Sequence, residues 1–86
     1  MYWKETAFVL ANKIRKQIIL TLSSSDNPLT PTQIAKAIKI ERSNISTKLV
    51  ELKKKSLVRC LNPEAKKFRI YVLTQKGKKI LPKIKE

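Results

Sequence analysis

The sequence predicts one small α+β domain that is mainly helical, with three helices, a two-stranded β-hairpin and a short C-terminal helix. Apolar residues recur at spacings of three and four up to Lys54, as on one face of an α-helix. Two apolar runs rich in strand-forming residues then flank a polar loop that contains Pro63, a pattern typical of a β-hairpin. A length of 86 residues with 42% hydrophobic residues suits a single core. Residues 1–86 are therefore interpreted as one domain.

The first helix is predicted from about Ala7 to Leu22. Four apolar residues share one face at spacings of 3, 4 and 4: Ala11, Ile14, Ile18 and Leu22. Serines, Asp26, Asn27 and Pro28 follow, and they end a helix because they compete for backbone hydrogen bonds or lack an N–H.

A second, short helix is predicted to begin at Thr30-Pro31-Thr32-Gln33. Thr30 can cap the helix, proline suits its first turn, and Gln33 completes a capping box. Ile34, Ala35 and Ile38 face inward, and residues 39–41 form a turn. A third helix then runs from about Arg42 to Lys54, with Ile45, Leu49 and Leu52 on its inner face.

Strands are predicted at Leu57–Leu61 and Phe68–Leu73, joined by a loop at residues 62–67. Thr74 can cap a last helix, which Gly77 weakens and Pro82 ends or kinks. Helix, short helix, tight turn, helix and hairpin is the element order of a winged helix-turn-helix. The helix-turn-helix lies at about residues 30–55 and the wing at about residues 57–73.

The charge of the chain indicates a polyanionic partner. Lys and Arg number 20 and Asp and Glu number 6, so the formal net charge is +14. Residues 56–86 carry nine bases and two acids, which gives +7, half of the excess. A lysine-rich surface stabilised by ion pairs does not explain this excess, because six acids cannot pair twenty bases. Nucleic acid is the polyanion that such a balance most often indicates.

Several function classes are excluded by composition. The chain has no His and one cysteine, Cys60, which excludes a disulfide framework, the usual Cys and His metal sites and His-based catalysis. The acidic residues are scattered, so we expect no enzyme, no cofactor and no metal. Without an apolar run of about 20 residues or a signal-peptide pattern, we expect no membrane contact and a cytoplasmic, nucleoid-associated protein.

Several motifs resemble those of known regulators, the MarR and ArsR groups of small repressors. The similarity covers about residues 10–81 and rests on three stretches: Arg15-x-x-Ile18-Ile19-x-x-Leu22, Leu29-Thr30-x-x-Gln33-Ile34-Ala35 with Ser43-Asn44-Ile45-Ser46-x-x-Leu49-x-x-Leu52, and Leu57-Val58 with Leu73-Thr74-x-x-Gly77. The resemblance implies a transcriptional regulator that binds double-stranded DNA, without showing whether it represses or activates. It also implies dimerisation through flanking helices.

Helix-turn-helix geometry assigns roles to particular residues, because the second helix of the motif lies in the major groove. The predicted reading surface is Arg42, Ser43, Asn44, Ser46, Thr47 and Lys48, with Arg42 and Asn44 as the base contacts. Ser43 and Asn44 are also residue types favoured at helix starts, so capping is the alternative role for both. At the start of the preceding helix, Thr32 and Gln33 are predicted to contact phosphate.

In the wing, Lys66, Lys67 and Arg69 are predicted to contact phosphates or the minor groove. Phe68, Ile70 and Val72 would share one strand face and Tyr71 and Leu73 the other, so neither face is plainly polar. One face covers the helices and the other needs a partner: the N-terminal Tyr2-Trp3, the C-terminal helix or a second chain. We expect a homodimer through the wing face or the terminal segments. Two alternatives to a sequence-reading regulator stay open: a non-specific nucleoid-type coating protein, and an RNA- or ribosome-associated winged helix.

Overall fold

The computed structural model of the protein describes residues 2–86, so residue 1 of the predicted domain lies outside the described residues. Within the described residues, six helices and two strands follow one another: α1 (Trp3–Leu10), α2 (Lys13–Ser24), α3 (Pro31–Ile38), α4 (Arg42–Lys54), β1 (Val58–Cys60), β2 (Tyr71–Leu73), α5 (Gln75–Lys79) and α6 (Leu81–Lys85). The strands pair antiparallel, with Val58 opposite Leu73 and Cys60 opposite Tyr71. The predicted winged helix-turn-helix fold class is confirmed. No helix within residues 2–86 combines the length and the apolar character needed to cross a bilayer.

The single helix predicted from Ala7 to Leu22 is wrong, because the chain forms two helices there. Asn12 has an extended backbone, and its side-chain oxygen accepts hydrogen bonds from the N–H groups of Ile14 (2.9 Å) and Arg15 (3.1 Å). This cap starts α2 afresh and satisfies two backbone donors that a helix start leaves free. Ala11, which the predicted stripe placed inside, is exposed.

The helix-turn-helix is confirmed in detail. Thr30 Oγ1 accepts from the N–H of Gln33 (3.1 Å) and Gln33 Oε1 accepts from the N–H of Thr30 (2.9 Å), which is the predicted capping box. Lys39 ends α3 in the left-handed conformation, with φ of 60°. The inner residues of α3 and α4 are buried in the core: Ile34, Ala35, Ile45, Leu49 and Leu52.

A tight junction joins α4 to the wing. Ser56 takes a φ of 61°, and its N–H donates to Lys53 O (2.9 Å) while the N–H of Leu57 donates to Leu52 O (3.0 Å). This pair of bonds is a Schellman motif, with the buried Leu52 and Leu57 as its hydrophobic contact. Helix α4, the predicted reading helix, and strand β1 are thereby fixed to each other.

The wing strands are shorter than predicted, with three residues each. The predicted second strand, Phe68–Leu73, begins only at Tyr71, because Phe68 has a φ of 58° and cannot continue a strand. One pairing was not predicted: Leu29, just before α3, forms a bridge with Tyr71 through bonds of 2.8 and 3.1 Å. The wing is therefore tied to the start of the helix-turn-helix.

The predicted last helix consists of two short helices. Thr74 caps α5 as predicted, accepting from the N–H of Gly77 (3.0 Å), and α5 ends at Lys79, three residues before Pro82. Ile80 and Ile84 are buried, and α6 packs against α1 and α2. Gly77 itself is buried, and a Cβ at this position would overlap the carbonyl oxygen of Leu57. Glycine is thus required here for close packing of α5 on the junction.

We predict that Gly77→Ala lowers the free energy of unfolding by about 1–3 kcal/mol, the usual cost of overpacking. In an open helix the same change would raise stability by about 1 kcal/mol. Urea unfolding measures the difference, with Lys78→Ala, an exposed neighbour in the same helix, as the control. A Gly77→Ala protein more stable than the wild type would contradict the packing argument.

Candidate nucleic-acid interface

The outer face of α4 is the surface on which the sequence placed most of the reading residues. Ile45, Leu49 and Leu52 hold the opposite face in the core. The exposed residues of the first two turns include four of the six predicted ones: Arg42, Ser43, Asn44 and Thr47. Ser46 is half-buried at the edge of this face. The fold therefore brings short polar side chains and one arginine together on a rigidly anchored helix.

The start of α4 leaves Ser43 and Asn44 without a capping role. Glu41 occupies the N-cap position and makes no side-chain cap bond, while Ser43 and Asn44 lie inside the first turn. The backbone N–H of Asn44 donates to Glu41 O (3.1 Å). The alternative interpretation that these two residues serve as caps is wrong, because the N-cap, Glu41, lies two residues before Ser43 and three before Asn44. The Asn44 side chain is exposed on the outer face of α4.

Thr47 is exposed but is turned partly toward its own helix. Its hydroxyl donates to Ser43 O (3.1 Å), a bond that threonine often makes within helices. The hydroxyl proton is therefore occupied, and what Thr47 offers outward is its methyl group and an acceptor oxygen.

Lys48 does not face outward as predicted. Its side chain is only 18% exposed, and its Nζ lies 3.6 Å from Glu51 Oε1. The same carboxylate oxygen accepts from Arg15 Nε (3.0 Å), which places Glu51 between two cations. Arg15 is held by Phe8, whose ring centroid lies 3.7 Å from the guanidinium and whose carbonyl oxygen accepts from Nη1 (2.9 Å). Binding by Lys48 stays a prediction, but part of its charge is neutralised within the fold.

The pKa of Glu51 reflects this arrangement. Burial raises the pKa, but the hydrogen bond from Arg15 and the charge of Lys48 outweigh burial and hold it below the ordinary value of 4.5. Glu5 behaves similarly, because the hydrogen bond from Lys76 (2.7 Å) lowers its pKa. The ion pairs between described residues use Arg15, Lys48, Lys76 and Lys83, so the wing cations take no part in them.

The wing loop is organised by one side chain, Asn62. Its Oδ1 accepts from the N–H of Ile70 (2.8 Å) and its Nδ2 donates to Phe68 O (3.2 Å). Arg69 Nε donates to Ala65 O (2.7 Å), which ties that side chain along the loop. Lys66, Lys67 and Arg69 are all exposed, as a phosphate-binding wing requires.

The start of α3 has fewer side-chain groups free to contact phosphate than the sequence indicated. Thr32 and Gln33 are both exposed, but Gln33 Oε1 is used in the capping box. The amide nitrogen of Gln33 is the group that remains to donate to a ligand.

Three further residues lie on or organise this candidate surface and were not predicted. Val50 is 51% exposed and lies three residues after Thr47 and seven after Ser43, which places all three on one helix face. Extending the helical spacing of Ser43 and Thr47 by one more turn along α4 would have identified Val50. Asn62 and the 78% exposed Phe68 were treated as loop and strand residues. Their roles depend on contacts across the loop, for which local sequence gives no signal.

Comparison with known families identifies the chain. The family described as bacterial regulatory protein, arsR family, matches residues 12–59, from the Asn12 cap to the middle of β1. The chain belongs to the ArsR family. This match covers α2 and the helix-turn-helix, where the sequence resemblance was noted, and confirms the resemblance. No protein in the curated sequence set matches the chain.

Solved structures of MarR-type regulators share the fold. A MarR family transcription regulator is 26% identical with a TM-score of 0.78, over 95% of this chain and 54% of its own. The transcriptional repressor CouR, bound to a 23-mer DNA duplex, is 25% identical with a TM-score of 0.73, over 96% and 61%. A mutant of S. aureus MepR bound to an oligodeoxyribonucleotide is 20% identical with a TM-score of 0.77, over 94% and 61%. This ArsR-family chain thus spans little more than half the length of these proteins.

We predict that the Glu51 ion pairs make stability depend on acid pH. Because the folded-state pKa is lowered, the contribution is present above the ordinary value of 4.5 and is lost as pH falls through the folded-state pKa. Glu51→Gln should therefore be less stable than the wild type at pH 7, with the difference shrinking below about pH 4. Urea unfolding at several pH values measures this, with Glu64→Gln in the exposed wing loop as the control. A constant difference across the range would contradict it.

Proposed function

We propose that this ArsR-family chain is a transcriptional regulator that reads the sequence of double-stranded DNA, with α4 in the major groove and the wing on phosphates or in the minor groove. One observation carries the proposal: the exposed polar face of α4 is anchored through its buried face and lies in the same rigid unit as a wing of unpaired cations. The surface thus combines groups that distinguish bases with groups that bind phosphate.

In this proposal, side chains in the first turns of α4 discriminate between bases. Arg42 can donate to O6 and N7 of guanine, and Asn44 can pair bidentately with adenine. Each good pair discriminates against a wrong base by about 1–3 kcal/mol. Ser43, Ser46 and Thr47 are suited to positioning the helix on phosphates. None of these contacts needs a metal or cofactor, because the protein supplies every donor and acceptor.

In this proposal the affinity for DNA comes mainly from the wing cations and from the net positive charge of the protein. Lys66, Lys67 and Arg69 would each displace counterions from the phosphate backbone, which makes binding depend on salt. The DNA-bound states of CouR and MepR support this assignment by analogy of fold. A DNA-binding role also favours a place in the cytoplasm, on the nucleoid, and a regulatory rather than a catalytic protein.

A non-specific coating protein is the second candidate, and the net charge of +14 favours it. Both functions use the same phosphates and share a salt dependence of about −0.9 in log K per neutralised phosphate. They differ in the ratio of specific to non-specific affinity, which for a true operator is on the order of 10³ or more.

The domain assignment and the homodimer remain proposals. We propose that residues 1–86 form one domain and that two copies pair through the terminal segments. Trp3 is 60% exposed and Leu10 is 47% exposed, and their spacing of seven places them on one face of α1. Exposed apolar faces of this kind mark interaction sites in soluble proteins.

We predict twice the monomer mass by light scattering at high micromolar concentration. Trp3→Glu combined with Leu10→Glu should give the monomer mass, since it places charge in the paired face. Phe68→Ala should leave the dimer intact, because it changes only the wing face. A wild-type monomer would contradict the proposal, and a monomeric Phe68→Ala protein would assign pairing to the wing.

We predict different defects from two changes of charge. Arg42→Ala should relax base preference by about 1–3 kcal/mol at one position, while Lys67→Ala should weaken binding to all sequences and flatten the salt slope by up to about 1. Fluorescence anisotropy measures both against duplex from the upstream region of the gene, random duplex and single-stranded RNA at two salt concentrations. Identical behaviour of the two variants on specific and random DNA would remove α4 as the reader, and preference for RNA would favour the ribosome-associated alternative.

A further inference from the structure

Phe68 is the most exposed large apolar residue among those described, with 78% of its surface accessible. It lies in the wing loop, between Lys67 and Arg69, and its backbone has a φ of 58°. A left-handed backbone is unfavourable for a non-glycine residue, because its Cβ comes too close to the following carbonyl oxygen. The fold thus maintains an aromatic ring in water at a strained position, where a small polar residue or glycine would be more stable.

The loop holds Phe68 in this position with specific bonds. Asn62 Nδ2 donates to Phe68 O (3.2 Å), and Asn62 Oδ1 accepts from the N–H of Ile70 (2.8 Å), on the other side of the strained residue. Arg69 Nε donates to Ala65 O (2.7 Å), which adds a further bond within the loop. Strained residues that the surrounding structure holds so firmly concentrate at functional sites.

The charges beside Phe68 indicate what it contacts. Lys66 and Lys67 are exposed next to it, and the ion pairs of the described residues use neither of them. An apolar side chain flanked by free cations complements a groove of duplex DNA, where phosphates line both edges and bases lie between them. Single-strand binders instead use several aromatic platforms for successive bases.

We propose that Phe68 is an apolar wedge, which enters the minor groove, partly unstacks one base step and bends the duplex. The inference rests on the proposed DNA-binding function and adds a source of preference that needs no hydrogen bond to a base. Wedge residues of this kind kink DNA by about 20–90°. Pyrimidine–purine steps such as TA unstack most readily, so the wedge selects sites that contain them.

The proposal makes a prediction opposite to that of a wing that acts by charge alone. Cations in the minor groove prefer A-tracts, which are stiff and have a narrow, strongly negative groove. A wedge prefers alternating TA, because it must separate two base pairs. Two duplexes of the same length and base composition, one an A-tract and one alternating TA, therefore distinguish the two mechanisms.

The experiment measures fluorescence anisotropy of the full chain on both duplexes, together with energy transfer between dyes at the duplex ends. The wild type should bind alternating TA about 10-fold more tightly, a ratio in the range of base–aromatic contacts, and should raise the energy transfer. Phe68→Ala should lose or reverse this preference and leave the duplex straight. Phe68→Leu should keep both properties, since leucine also serves as a wedge.

Controls separate this inference from the proposed function. Lys67→Ala should weaken binding to both duplexes equally, and thermal unfolding should show that Phe68→Ala folds like the wild type, since the ring is exposed. Phe68→Ala that binds with an unchanged preference and an unchanged bend would overturn the wedge and leave DNA binding standing. Wild-type protein that binds neither duplex would overturn the wedge, and failure to bind duplex from the upstream region of the gene as well would overturn the proposed function. Preference for single-stranded DNA that Phe68→Ala abolishes would overturn the wedge in favour of base stacking.

Discussion

The backbone around Leu57 holds the two candidate DNA-binding elements in one arrangement. The N–H of Leu57 donates to the end of α4 at Leu52 O (3.0 Å), and its carbonyl accepts from the N–H of Thr74 (3.1 Å), just after the second wing strand. Thr74 Oγ1 donates in addition to Ser56 O (2.5 Å). Because Gly77 lacks a Cβ, α5 packs directly on this carbonyl. Contact with a groove by α4 and with phosphates by the wing requires a fixed separation, and this junction supplies it.

The positive surface charge of the protein follows from the small number of acidic residues. Glu51 and Glu5 are used inside the fold, where they join α4 to α2 and α5 to α1. Such pairs hold elements in place but remove few cations from the surface. The remaining excess of positive charge repels itself and lowers the stability of the compact state. An anionic partner would neutralise these cations and relieve the repulsion, so its binding would stabilise the folded protein.

Local signals predicted the parts of the fold that local interactions determine. The Thr30 and Gln33 capping box and the bounds of α4 depend on residues within one turn of each other, and both are confirmed. The prediction of one helix across Ala11 was wrong because an apolar spacing can continue by chance across the end of a helix. The break lies at Asn12, whose side chain caps a new helix with its own hydrogen bonds. Lys48 was misplaced because Arg15, 33 positions earlier in the chain, fixes the carboxylate that attracts it. The conformation of Phe68 depends likewise on Asn62 across the loop.

The candidate interface contains two kinds of surface, a mainly polar and apolar face on α4 and a cationic wing. Arg42 is the exposed cation at the start of the outward face of α4, since Lys48 shares Glu51 with Arg15. Beside Arg42 the face presents Asn44, the methyl group of Thr47 and the exposed Val50. Apolar groups in the major groove distinguish thymine by its methyl group, and Asn distinguishes adenine. In the proposed function, the cations that bind the phosphates of any sequence lie instead on the wing. Under the proposed function, specificity comes from α4 and most of the affinity from the wing, and the rigid junction at Leu57 keeps the two elements at the separation that joint binding requires.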